Sequence, residues 1–166
     1  MLPFTRNIFD PMDFTPVVFD KMPRNRQRRT TVGFELALSV LFTSGIQHYA
    51  EIPAGMAKVP AYVRDFMKHV PSVWDDTKFI DGYPGKLAVL ARLGDGRWYV
   101  AGINGEATEK TLTLDLSALA AGTTGQLITD DNGAFMQKTV TLPPDRKLTV
   151  PLKRNGGFVL VLPHQP

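Results

Sequence analysis

The sequence predicts an α+β chain in two parts: an α/β segment of helices and loops to about residue 72, then an antiparallel β-sandwich from 73 to 166. Two observations predict it. Eight short apolar or alternating runs lie between residues 73 and 162, separated by glycine and asparagine turns. Before them, a nearly all-apolar helical stretch is followed, after one glycine, by a short strand-like run, which is the signature of an α/β connection.

The first twenty residues hold Pro3, Pro11 and Pro16 among apolar residues, a density that excludes a long regular element. A helix is expected over 31–44, capped by Thr30 or Thr31 and ended by Gly45 in the left-handed conformation. Phe34, Leu36, Ala37, Leu38, Val40, Leu41 and Phe42 make it apolar on almost every side, so it is expected to be buried between layers. Gly33 weakens its first turn. A strand is expected over 46–50. A second helix, 60–69, starts at Pro60 and carries an amphipathic stripe of Tyr62, Val63, Phe66, Met67 and Val70.

Strands are then expected at 73–80, 86–93, 97–103, 109–116, 124–129, 135–142, 147–152 and 157–162. Gly94-Asp95-Gly96, Asn104-Gly105, Asp131-Asn132-Gly133 and Asn155-Gly156-Gly157 supply residues that tolerate the positive φ of tight hairpins. Leu112, Leu114 and Leu116 alternate with Thr111, Thr113 and Asp115, as in a strand with one wet face.

Composition excludes several chemistries. Without cysteine there is no disulfide, thiolate zinc site or cysteine nucleophile. No apolar run reaches the length of a membrane span. The start, Met1-Leu2-Pro3-Phe4-Thr5-Arg6, lacks the apolar stretch of a signal peptide. No phosphate-cradling glycine loop or nucleophile elbow occurs. The net charge of +3 comes from a local run, Lys21, Arg24, Arg26, Arg28 and Arg29. That run invites a nucleic-acid reading, but it lacks interleaved aromatics for base stacking, and a solvated loop is the plainer assignment.

His69 ends a surface helix and His164 lies in the tail. His48 and Glu51 stand at the end of the 46–50 run; in a barrel the C-terminal ends of strands face the active site, whereas packing is the plainer role. Asp75, Asp76 and Asp81 surround Trp74, Phe79 and Tyr83, a mixture that binds sugars, with turn and capping work as the alternative. Asp10 and Asp13 flank Pro11-Met12. A carboxylate pair is the equipment of glycoside hydrolysis, but opposing acids ordinarily come from separate strands.

Six stretches stand in series: Leu2-Pro3-Phe4-Thr5-Arg6, Pro11-Met12-Asp13-Phe14-Thr15-Pro16, Gln47-His48-Tyr49-Ala50, Val73-Trp74-Asp75-Asp76-Thr77-Lys78-Phe79, Asp81-Gly82-Tyr83-Pro84-Gly85, and Trp98-Tyr99-Val100-Ala101-Gly102-Ile103-Asn104-Gly105. Together they resemble the C-terminal part of glycoside hydrolase family 97, the bacterial α-glucosidases and α-galactosidases. The resemblance implies an intact enzyme with an N-terminal β-supersandwich, a central (β/α)8 barrel and a C-terminal β-sandwich. This chain would then be the terminal part of a (β/α)8 barrel (1–72) followed by the antiparallel β-sandwich (73–166). It also implies an α-glucoside or α-galactoside oligosaccharide as substrate, calcium bound in the barrel of the parent, and a periplasmic or secreted location.

As the motifs match, the family's catalytic and calcium-binding glutamates precede this chain, and Glu35, Glu51, Glu106 and Glu109 do not sit in their contexts. The chain is therefore expected to be inactive alone, with the upstream barrel as its missing partner. Arg6, Asp13, His48 and Glu51 are expected near the substrate by barrel geometry. The alternative is a non-catalytic carbohydrate-binding or domain-packing module resting on Trp74, Tyr83, Trp98 and Tyr99, where exposed rings favour sugar and buried rings favour packing. Without the barrel, the stretches 31–44 and 46–50 are expected to expose apolar surface.

Overall fold

In the computed structural model, which describes residues 2–20 and 26–165, eight antiparallel strands form two sheets. They are β1 (Asp76–Tyr83), β2 (Leu87–Gly94), β3 (Arg97–Asn104), β4 (Lys110–Asp115), β5 (Thr124–Asp131), β6 (Ala134–Thr141), β7 (Lys147–Leu152) and β8 (Gly157–Pro163). One sheet has six strands in the order β1-β2-β3-β8-β5-β6; the other is the ribbon β4-β7.

Turn chemistry sets the hairpins. Asp95 and Gly96 take φ of 49° and 68°, and Asn132 and Gly133 take 49° and 81°. Those values suit the two-residue turns that match the twist of the strands they join. Gly94 accordingly pairs with Arg97, and Asp131 with Ala134. Asn104-Gly105 makes no such hairpin. Asn104 is buried, and its side-chain amide donates to the carbonyls of Thr108 (2.7 Å) and Lys153 (3.1 Å), steering the chain from β3 across to the ribbon. The first strand lies three residues later than expected. Trp74 packs edge-on against Tyr99 at 5.4 Å instead of extending, and β1 continues to Tyr83 through a bulge between Phe79 and Asp81.

The ribbon lies over one face of the six-stranded sheet. Leu112, Leu114, Leu116, Val150 and Leu152 meet Val89, Val100, Phe158, Leu160 and Leu162 there. The alternation read at Leu112–Leu116 is thus the inward face of β4. The sheet's other face is equally apolar, and helix α1 (Val32–Leu41) covers it. Leu36, Ala37, Val40 and Leu41 pack with Leu90, Tyr99, Ala101, Ile128 and Val159. The result is three layers: helix, six-stranded sheet, ribbon.

This corrects the expectation that the first helix exposes apolar surface for want of neighbours. Its neighbour is the sandwich itself. Gly33 has its reason here. A Cβ on it would lie 2.3 Å from Asp130 Oδ2 and 2.4 Å from the Gly157 carbonyl, and one on Gly157 would lie 2.6 Å from Phe34 Cα. Two glycines let α1 and β8 approach backbone to backbone. The Thr31 hydroxyl caps the helix, accepting from Phe34 N–H at 3.2 Å.

The helix stops at Leu41, short of the expected residue 44, and Phe42, not Gly45, follows it in an extended conformation. The expected strand at 46–50 is not one. Among the described residues no strand lies beside it, and its backbone tie to another segment is Ala50 N–H to the Pro16 carbonyl at 2.9 Å. A strand needs a partner ladder, and here an irregular loop occupies that place. A short helix α2 (Pro53–Met56) and the expected amphipathic helix α3 (Ala61–His69) complete the segment, with Pro60 as the cap of α3. Val63, Phe66 and Met67 join the same core as α1. No helix among the described residues is long and apolar enough to cross a membrane.

Candidate functional site

Residues 17–20 form a loop held by side chains from four other positions. Val17 is buried and takes φ of 75°, a left-handed conformation rare for a β-branched residue. Around it, Glu51 accepts from the N–H groups of Phe19 (2.6 Å) and Asp20 (2.8 Å). Glu35 accepts from Val18 N–H at 3.4 Å and from the Thr30 hydroxyl at 2.6 Å. Arg28 donates to the Val18 carbonyl, and Lys58 pairs with Asp20 at 2.6 Å. Gly55 leaves room for this, since a Cβ there would fall 2.0 Å from Glu51 Oε1. Such over-determination is what holds a backbone in a sparsely populated conformation.

Of the four residues expected near a substrate, Arg6 forms an exposed pair with Asp10 at 2.7 Å. Asp13 and His48 are exposed, and Glu51 is half-buried with its carboxylate on the 17–20 backbone. No hydrogen bond or ion pair joins any two of these four. Asp10 and Asp13 do not form an opposed pair either, because Asp10 is held by Arg6.

A buried polar network ties the first turns to the sandwich. The Asn7 amide donates to the Thr43 carbonyl at 3.1 Å and the Asp10 carbonyl at 3.0 Å, and accepts from Thr43 N–H at 2.9 Å. Arg92, 1% exposed, projects from β2 and donates to the carbonyls of Ile8 (3.0 Å), Asn7 (3.3 Å) and Leu41 (3.2 Å) and to the Thr77 hydroxyl (2.8 Å). Burial pulls its pKa down to about 10, so it remains charged at neutral pH. Its charge meets the carbonyl end of α1, where a cation is favoured. No signal in the strand pattern marks this role; an arginine inside Leu87–Leu93 reads as an outward residue.

A cleft of about 460 Å³ opens beside this network, lined by Phe9, Pro11, Val73, Asp75 and Asp76 among others. Arg92 and Trp74 line it too, and their Nε and Nε1 atoms are buried without acceptors. They are a burial cost. Asp76 is held below the usual carboxylate range by its hydrogen bond from Lys78.

The aromatic residues do not form a sugar platform. Trp98 and Tyr99 are each 2% exposed and on opposite faces of β3, Trp98 donating to the Ala120 carbonyl at 3.2 Å and Tyr99 to that of His69 at 2.9 Å. Trp74 is half-buried against Tyr99, leaving Tyr83 as the exposed ring of the four. Their geometry is that of packing. In the basic run, Lys21 and Arg24 lie outside the described residues, and Arg28 is turned inward onto Val18 and Thr30. Among the described residues no three His, Asp or Glu side chains gather as metal ligands.

Comparison with known proteins finds likeness along nearly the whole chain. Residues 73–163 match the family description "Glycosyl-hydrolase 97 C-terminal, oligomerisation". A protein of Streptomyces bingchenggensis (strain BCW-1), named a probable retaining alpha-galactosidase, is 37% identical over 98% of this chain and 25% of its own length. A crystal structure of a beta-arabinopyranosidase is 36% identical, with a TM-score of 0.87 over 97% of this chain and 26% of that one. A glycoside hydrolase family 97 enzyme from Pseudoalteromonas sp. strain K8 in complex with panose is 27% identical, with a TM-score of 0.82 over 98% of this chain and 28% of that one. The chain spans about a quarter of the length of the curated relatives it matches.

Proposed function

The chain belongs to glycoside hydrolase family 97, and from that premise we propose that it is the C-terminal part of an exported, retaining glycosidase for α-galactosides, inactive alone. In this reading residues 1–72 are the last piece of the (β/α)8 barrel and residues 73–166 the sandwich that closes against it. The observation that carries it is the extent of the likeness. It covers 97–98% of this chain in the solved relatives, so residues ahead of the 73–163 match follow the family as well.

The galactoside assignment rests on the names of the relatives. Those at 36–37% identity are an α-galactosidase and a β-arabinopyranosidase, and the one holding panose stands at 27%. A β-L-arabinopyranoside matches an α-D-galactoside at every ring stereocentre and lacks the exocyclic hydroxymethyl group. In the longer protein Arg6, Asp13 and His48 face the substrate from loops at the rim. Glu51 acts at one remove by fixing residues 17–20. The catalytic carboxylates and the calcium belong to the preceding barrel.

The test is turnover of p-nitrophenyl α-galactoside, α-glucoside and β-L-arabinopyranoside by the purified chain. None above buffer is expected, and turnover of any overturns the proposal. Upstream coding sequence without barrel strands overturns it as well.

A second reading has its own support. The description matched by 73–163 names oligomerisation, and we infer that the sandwich brings copies of the protein together.

A further inference from the structure

We infer that a second copy of this chain docks along β1 about a two-fold axis, with Phe79 and Tyr83 at the centre of the contact; this rests on the oligomerisation reading and names its surface. The six-stranded sheet has two free edges, β1 and β6. They differ in chemistry. Among the described residues from 73 to 163, the exposed large hydrophobics are Val73 (77%), Phe79 (54%) and Tyr83 (66%), all on β1 or just before it. The β6 edge instead exposes Gln137, Lys138, Thr139 and Thr141. A lysine on an edge strand guards against pairing with another chain.

β1 also carries a lysine, but it is withdrawn from that duty. Lys78 Nζ is 3.0 Å from Asp76 Oδ2 and sits 5.9 Å over the Trp98 ring. The bulge places the two exposed rings on either side of the edge. Phe79 pairs with Leu90, which faces the helix layer, and Tyr83 pairs with Leu87, which packs on the ribbon side. Phe4 extends the apolar surface next to Phe79, with ring centres 6.1 Å apart, and Leu2 is 44% exposed nearby in sequence. Eight residues of strand span about 26 Å. An isologous contact sets each β1 antiparallel to its partner's, so one patch serves both copies.

The experiment is sedimentation equilibrium of the chain from low to high micromolar concentration, for wild type and for Phe79→Lys/Tyr83→Lys. Wild type is expected to dimerise, and the double variant to associate at least about 100-fold more weakly, given two aromatic anchors lost. Both side chains are more than half exposed, so melting temperature and circular dichroism should stay near wild type. Benzoylphenylalanine in place of Phe79 supplies an independent readout: irradiation should link it to residues 76–83 of the other copy. A dimer that persists in the double variant, or cross-links confined to other segments, overturns the surface and leaves oligomerisation standing. A wild type that is monomeric throughout overturns both.

Discussion

Gly33 stands in the first turn of α1, where alanine ordinarily adds about 1 kcal/mol of helix stability. The contact with β8 reverses the sign. A Cβ there meets Asp130 Oδ2 at 2.3 Å and the Gly157 carbonyl at 2.4 Å. The carboxylate can rotate away. The carbonyl cannot, because Gly157 is held in β8 opposite Ile103. The helix must lift by roughly 1 Å to restore an ordinary contact, which forfeits part of the packing of Leu36, Val40 and Leu41. Overpacking of this kind costs about 1–3 kcal/mol. The lift also weakens the bonds from Gly33 N–H (3.1 Å) and the Thr31 hydroxyl to Asp130, at about 1.5–3 kcal/mol for a bond to a charged group. After the helix gain is subtracted, Gly33→Ala should lose about 2–4 kcal/mol, or roughly 5–15 °C in melting temperature. Gly45→Ala is the matched control. Nothing lies within 4 Å of its Cβ, and it should be neutral or slightly stabilising. Thermal and urea unfolding of both variants decide the matter. A Gly33→Ala protein as stable as wild type refutes the close seam between α1 and β8.

Three more perturbations test other parts of the architecture. Arg92→Leu removes the guanidinium donor from the carbonyls of Ile8, Asn7 and Leu41 and from the Thr77 hydroxyl, so a loss of at least about 3 kcal/mol is expected in urea unfolding, with faster amide exchange over residues 2–12. Arg92→Lys should restore little of it, since an ammonium lacks the fork that reaches four acceptors. Burial holds the Asp130 carboxyl above the ordinary carboxylate range. An acid raised in this way gives stability that is full below its unfolded value and lost as pH rises through the folded one. The melting-temperature difference, wild type minus Asp130→Asn, should therefore grow as pH falls through the folded pKa towards the ordinary carboxylate value, and a difference flat across that window speaks against a raised carboxyl. Glu51→Ala removes the acceptor of the Phe19 and Asp20 amides, and exchange there should quicken at least about tenfold while the sandwich amides hold. Unchanged exchange there would deny Glu51 its role as the loop's anchor.

The strands were legible because their turns announce themselves. Asp95-Gly96 and Asn132-Gly133 leave little choice of where β2, β3, β5 and β6 end. The helix was legible too, but what it leans on was misread. A signal for the right answer was present. Leu87–Ala91 and Phe158–Leu162 are apolar at consecutive positions, unlike the alternating Leu112–Leu116. A strand apolar on both faces needs cover on both, and the all-apolar helix is that cover. The misread 46–50 run shows the converse. Its residues suit a strand, yet strand identity depends on a neighbour that no local pattern reports. The 17–20 clamp was hidden for a similar reason. Glu35, Glu51, Arg28 and Lys58 converge on Val18, Phe19 and Asp20 from distant positions, and a charged side chain gives no sequence sign that it will be used on backbone groups.

The core shared by α1, α3 and the six-stranded sheet has a practical edge. Residue 72 is a border in composition and not a place to cut. A clone beginning at residue 73 would produce a sheet with Leu90, Tyr99, Ala101, Ile128 and Val159 bare to water, and insolubility of that product would say nothing about the sandwich's own folding. Swapping C-terminal modules between family members should carry the first helix along, as the lid that travels with its box.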